Sequence, residues 1–167
     1  MGWLRFEFLN GAMGTRQCQA LSGALRELRR RPTRALVLLG GRDFFSNGIH
    51  LHEIEHAAQQ PGDSAADASM RNIEAMDDAC LELLTMVDRL TLAVLRGNAG
   101  AGGCFLALAA DAVWGHAGVV LNPHYKNMGN LYGSEYWTYT LPRRVGPEQA
   151  RRITQGRLPI EIGRAHV

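Results

Sequence analysis

Two short apolar runs set what this chain can fold into. Arg34–Leu39 reads RALVLL and Leu92–Leu95 reads LAVL. Each breaks into a glycine-bearing segment, GGRDFFSNGIHL after the first and RGNAGAGG after the second. Continuous apolar runs of this length are strands buried on both faces, as in parallel sheets. Helical patterns separate them. Thr15 is placed to cap a helix running to about Arg31, with Leu21, Ala24, Leu25 and Leu28 on one face and Pro32 ending it. Residues 69–88 carry a second face in Ile73, Met76, Cys80, Leu84 and Val87, after a polar linker at 59–69 (QQPGDSAADAS). Leu4–Leu9 alternates as a strand until Asn10-Gly11, Cys104–Ala110 reads as an apolar helix, and Ala112–Trp114 and Val119–Leu121 read as short strands. This alternation predicts an α/β domain with a mainly parallel sheet and flanking helices. Right-handed crossovers place the loops after consecutive strands on one sheet edge, where ligands bind.

Composition removes several function classes. With 46% hydrophobic and 20% charged residues, the chain can bury a core and is not a disordered segment. A net charge of +2 is too small to argue for nucleic acid. No apolar run reaches the roughly 18 residues of a membrane span. MGWLRFEFLNG lacks the form of a signal peptide. Cys18, Cys80 and Cys104 are an odd count in dissimilar contexts, which reads as reduced cytoplasmic thiols. The one basic cluster, Arg29, Arg30, Arg31 and Arg34, reads as a solvated helix C-terminus, with a phosphate contact as its alternative.

Three segments carry chemistry. Gly97–Gly103 (GNAGAGG) follows a strand and opens a helix, but its spacing fits neither a dinucleotide fingerprint nor a phosphate-binding loop. What remains is a glycine turn whose free N–H groups suit an anion or a developing oxyanion. His52–His56 (HEIEH) matches a zinc-protease signature, yet it is broken by Gln59, Gln60 and Pro61 and has no third ligand downstream. No metal site is expected. Asn122–Arg144 is dense in tyrosine and asparagine and holds one carboxylate, Glu135, beside Tyr136 and Trp137. An acid among aromatics has a raised pKa and exchanges protons near neutrality. Gly129 and Gly133 predict that the chain folds back there, letting Tyr125 meet Glu135.

FFSNGIHL after one buried strand and RGNAGAGGCFLALAAD after the next resemble the crotonase (enoyl-CoA hydratase/isomerase) superfamily, over nearly the whole chain. The resemblance implies a ClpP/crotonase fold, truncated before its C-terminal helical region. It implies an oxyanion hole made by the backbone N–H groups of Ile49 and Gly102, which would polarise a thioester carbonyl. The two acid/base glutamates of hydratases would fall at Phe105 and near Tyr125, and neither is a carboxylate. LNPHYKNMGNLYGSEYWTYTLPRRVG and FLNGAMGTRQC are similar to the C-terminal domain of the HypX/HoxX family of hydrogenase-maturation factors. That resemblance implies formyl-CoA as substrate, carbon monoxide and CoA as products, and folate only in an N-terminal domain outside this chain. It also implies other hydrogenase-maturation proteins as partners.

On these residues, Ile49 and Gly102 are expected to clamp the carbonyl, Glu135 to shuttle the proton and Tyr125 to orient it. Phe45, Ser46, Asn47, Gly48, Gly103, Phe105 and Trp137 are expected to line the bound acyl-CoA. The adenine and pantetheine would lie along Phe44–Leu51, with the arginine cluster a lesser candidate for the CoA phosphates. The alternatives are an ordinary enoyl-CoA hydratase/isomerase and a non-catalytic docking module in hydrogenase maturation. The end of the chain, Glu161–Val167 (EIGRAHV), resembles a translated sequencing adapter. Residues 1–160 are therefore expected to be an incomplete acyl-CoA-binding domain and 161–167 a non-native tail, and His166 is given no function.

Overall fold

The computed structural model describes residues 1–125, 133–156 and 158–163. The first strand, β1 (Gly2–Arg5), begins and ends earlier than the alternation predicts. A 3-10 turn at Leu9–Gly11 takes over, with Asn10 at φ 51°. Phe6 and Phe8 still turn inward and meet edge to face with ring centroids 5.3 Å apart. After β2 (Ala12–Met13) comes α1 (Thr15–Arg29), whose N-cap is Gly14, not Thr15. The missing cap is supplied from elsewhere in the chain: the Thr15 N–H donates to Glu53 Oε2 at 3.1 Å. Strand β3 (Ala35–Leu39) is the first apolar run. The expected loop after it contains two short strands, β4 (Phe44–Ser46) and β5 (Gly48–Ile49).

Helix α2 (Leu51–Ala57) is capped by its own N-cap residue, His50, whose Nδ1 accepts from the Glu53 N–H. Helix α3 (Ala65–Leu84) starts inside the expected linker, because Ser64 Oγ caps it by accepting from the Asp67 N–H at 3.0 Å. It buries Ala68, Asn72, Ala75, Met76, Ala79, Cys80 and Leu83. Val87, expected on that face, lies past the helix end and is 90% exposed. Then follow β6 (Leu90–Leu95), β7 (Asn98–Gly100), α4 (Gly102–Leu108), β8 (Ala112–Gly115), β9 (Val120–Asn122), α5 (Trp137–Val145), α6 (Pro147–Gly156) and β10 (Ile160–Glu161).

One parallel sheet has the order β1-β3-β6-β8, a second β10-β9-β7-β4, and β2 pairs with β5. All these pairs are parallel except β10 with β9. The main core lies between the first sheet and the α1–α3 pair. Leu36 and Leu38 of β3 and Ala93 and Leu95 of β6 meet Cys18, Leu21 and Leu25 of α1 and Met76, Cys80 and Leu83 of α3. A smaller cluster of Phe105, Leu141 and Ala150 joins α4, α5 and α6.

The arginine cluster holds α1 to its surroundings. Arg29 donates to Glu82 and Thr85, and Arg30 and Arg31 pair with Glu27. Buried Arg89 donates to the Leu28, Arg29 and Arg31 carbonyls, closing the negative end of α1. These arginines sit at the end of α1 remote from Thr15. Glu161 pairs with Val120, so the second sheet extends past residue 160; residues 164–167 of the expected tail lie outside the described residues. No helix among the described residues is long and apolar enough to cross a membrane.

Candidate active site

The two glycine-bearing loops meet. Gly48 adopts φ +83°, a conformation that costs other residues energy. A Cβ built on it would fall 3.0 Å from the Gly102 nitrogen and 3.1 Å from Ala101 Cβ. The loop carrying Ile49 therefore abuts the turn that opens α4. Ile49 is also paired in register with Met13. Ala101 is the N-cap of α4 at φ 45°, ψ −124°, a strained position for a residue with a Cβ. Its N–H donates to the Asn122 carbonyl. Gly102 is then the first helical residue, whose N–H has no partner within its own helix and sits at the positive end of the helix dipole.

Helix α3 braces this arrangement through Asn72, which is 1% exposed. Its Nδ2 donates to the Met13 carbonyl at 2.7 Å and its Oδ1 accepts from the His50 N–H at 3.3 Å. The residues flanking Ile49 and its paired strand are thus tied to one side chain.

Glu135 closes the site and is 2% exposed. Tyr125 O–H donates to its Oε2, and so does the Ser134 N–H at 3.1 Å. Its own N–H donates to Asp77 Oδ1 at 2.6 Å. Burial pushes the acid up from the ordinary glutamate value to about 7; the two hydrogen bonds oppose this and the charge of Asp77 adds to it. Burial and the adjacent acid keep Tyr125 protonated. Phe105, fully buried, stacks on Tyr125 with centroids 5.5 Å apart and leans on Trp137 at 6.2 Å. Trp137 Nε1 donates to the Gly133 carbonyl. Among the described residues, buried Asn122 Oδ1, His124 Nδ1 and Ser134 Oγ have no hydrogen-bond partner.

The remaining expected residues divide. Phe45 is buried against Phe6, and Ser46 Oγ donates to the Gly11 carbonyl and accepts from the Gly48 N–H. Both side chains are buried and shape the loop. Gly103 packs on Ser46. Asn47 is exposed and its Nδ2 donates to the Asn10 carbonyl, beside a cavity of about 370 Å³ lined by Phe8, Leu9, Gly11, Asp43 and Phe44. The HEIEH residues have other work. Glu53 serves the start of α1, and His52 contacts Glu55 at the surface. Among the described residues no three His, Cys, Asp or Glu groups converge as a metal site would require.

Sequence reasoning missed Asn72 and Asp77. Asn72 had a signal, being a polar residue in the apolar stripe of α3. Asp77 had none. Gly129, expected at the fold-back, lies outside the described residues.

Residues 9–162 match the enoyl-CoA hydratase/isomerase family model. The chain is 59% identical over 165 residues to the hydrogenase maturation factor HoxX of Bradyrhizobium diazoefficiens, covering 99% of this chain and 28% of that protein. It superposes on HypX from Aquifex aeolicus, solved in complex with tetrahydrofolic acid, with a TM-score of 0.89 and 54% identity over 95% of this chain and 27% of that one. An enoyl-CoA hydratase from Bacillus halodurans matches in fold, with a TM-score of 0.82 at 20% identity over 96% of this chain and 63% of that one. The chain therefore spans little more than a quarter of the length of the HoxX and HypX proteins it matches.

Proposed function

The chain belongs to the enoyl-CoA hydratase/isomerase family, and on that premise we propose that it is the CoA-thioester-processing domain of a hydrogenase-maturation protein, releasing carbon monoxide from formyl-CoA. The observation that carries the reading is the buried Tyr125–Glu135 pair set against Gly102, with Phe105 where a hydratase would need a carboxylate. Adding water to an alkene needs a base for the water, and Phe105 provides none.

In the proposed reaction the formyl oxygen accepts hydrogen bonds from the Ile49 and Gly102 N–H groups. Glu135, as carboxylate, takes the formyl hydrogen as a proton. The C–H electron pair stays on carbon, the C–S bond breaks with its pair on sulfur, and carbon monoxide leaves. Glu135 then returns the proton to the thiolate, so formyl-CoA gives carbon monoxide and CoA with no oxidant or reductant. An acid with a pKa near neutrality suits both transfers. Tyr125 holds the carboxyl in place, and the Phe105–Trp137 wall excludes water that would hydrolyse the thioester. In this reading the nucleotide end of CoA lies toward the cavity beside Asn47 and Phe44.

The test is formyl-CoA added to the full-length protein with a carbon monoxide trap and a free-thiol assay. Equimolar carbon monoxide and CoA are expected. Formate with CoA, or CoA binding without turnover, would replace this reading with a hydrolase or a docking module.

A further inference from the structure

We propose that Asp77 is a positioning residue for Glu135, holding the acid's main chain in the one conformation that lays its carboxyl over the Gly102 turn. The inference rests on the decarbonylation reading above. Glu135 and Tyr136 are consecutive non-glycine residues at φ 42° and 54°. Each such residue is strained and persists only where its surroundings hold it. The Glu135 side chain is held by Tyr125 and Ser134. Its main chain is held by Asp77, through a 2.6 Å bond to a residue 58 positions away.

Asp77 stands in the middle of α3, the helix that also brings Met76 against Gly102. The bond therefore fixes the strained loop to the same rigid element that floors the carbonyl site. A misplacement of about 1 Å between acid and carbonyl is enough to cost roughly a hundredfold in rate.

Asp77 also sets the charge around the acid. The groups acting on Glu135 are Asp77 of α3, Tyr125 of the segment after β9 and the Ser134 N–H, while Glu135 in turn acts on the Cys80 thiol of α3 and the Cys18 thiol of α1. Burial keeps both thiols protonated, pushing Cys18 up to about 12 and Cys80 well above the ordinary value. Tyr125 is neutral as well. The Asp77 carboxylate favours the protonated acid.

Two substitutions separate position from charge in the full-length protein with formyl-CoA. Asp77→Ala removes the acceptor and the charge. It is expected to lower kcat for carbon monoxide release about tenfold or more, with KM within about twofold. Asp77→Asn keeps an acceptor oxygen, so most of kcat returns, while the acidic limb of the kcat profile moves to lower pH. The same shift is expected in an infrared titration of the protonated carboxyl band that Glu135→Gln removes, a readout independent of turnover. If Asp77→Ala fails to fold, the Asp77→Asn profile decides. Unchanged kcat in a folded Asp77→Ala, or an unmoved limb and infrared titration in Asp77→Asn, overturns the inference. Full carbon monoxide release by Glu135→Gln sinks the proton-transfer reading instead.

Discussion

The Glu135 carboxyl lies directly over the Cα of Gly102. A Cβ at Gly102 would fall 2.8 Å from Glu135 Cδ and 2.6 Å from Met76 Cε. A helix-terminal N–H and a buried acid are thus neighbours through a missing side chain. In the proposed reaction a carbonyl oxygen bound to that N–H would bring its carbon near the acid, as a proton exchange at that carbon requires.

Gly102→Ala tests that contact with a small change. Gly102 is the first residue of α4 and has no left-handed φ, so alanine is compatible with its backbone and the fold is expected to hold. The new methyl meets the ends of two flexible side chains, and both have to move. We expect carbon monoxide release to fall about tenfold or more while the thermal midpoint changes by only a few degrees. Undiminished turnover in the folded variant would show that the Glu135–Gly102 contact has no part in the chemistry.

Glu135→Gln preserves shape and removes proton exchange. The expected loss of carbon monoxide release is ~100-fold or more, the usual scale of general acid–base help, with CoA binding retained. Tyr125→Phe removes the orienting O–H and leaves the acid, so its loss is smaller. Equal losses in both variants, measured with the same trapping assay, would mean that Tyr125 transfers a proton itself.

The fold was legible because its strands are continuous apolar runs and its helices carry clear faces. The strand and helix starts were less so, and the reason is tertiary. Thr15 has the chemistry of a cap, but Glu53 already supplies the acceptor, which frees Gly14 for the N-cap position. Ser64 extends α3 into what composition reads as linker. In the site, Tyr125 and Glu135 announced themselves as a lone acid among aromatics. Phe45 and Ser46 are buried within the loop, and a residue that gives a motif its shape has the same sequence signature as one that touches a ligand. Asp77 contributes through one bond to a main-chain N–H 58 residues away, and no local pattern encodes that.

Asn72 is expected to be a hinge point for stability and activity together. Asn72→Ala leaves the Met13 carbonyl and the His50 N–H without their partner. Leaving one buried and one part-buried group unpaired costs roughly 2–4 kcal/mol. Urea unfolding should show that loss, and carbon monoxide release should fall by more than the folded fraction does, because Ile49 sits between the two freed groups. Activity that tracks the folded fraction alone would confine Asn72 to a stabilising role.

The raised pKa of Glu135 predicts how stability varies with pH. In the unfolded chain the acid titrates near 4.5, and in the folded chain at about 7. Below 4.5 both states hold the proton and the group does not disfavour folding. Between the two values the unfolded chain ionises first, so its contribution to stability falls as pH rises. Above about 7 the full penalty is present, of order 3 kcal/mol from the size of the shift. Glu135→Gln cannot ionise and escapes it. Denaturant unfolding of protein and variant at pH 4.5 and at pH 8.5 should therefore give curves that diverge with pH, the variant gaining at the alkaline end. A difference independent of pH across that window would mean that the acid titrates normally in the folded protein, and the neutral-pH proton shuttle would lose its physical basis.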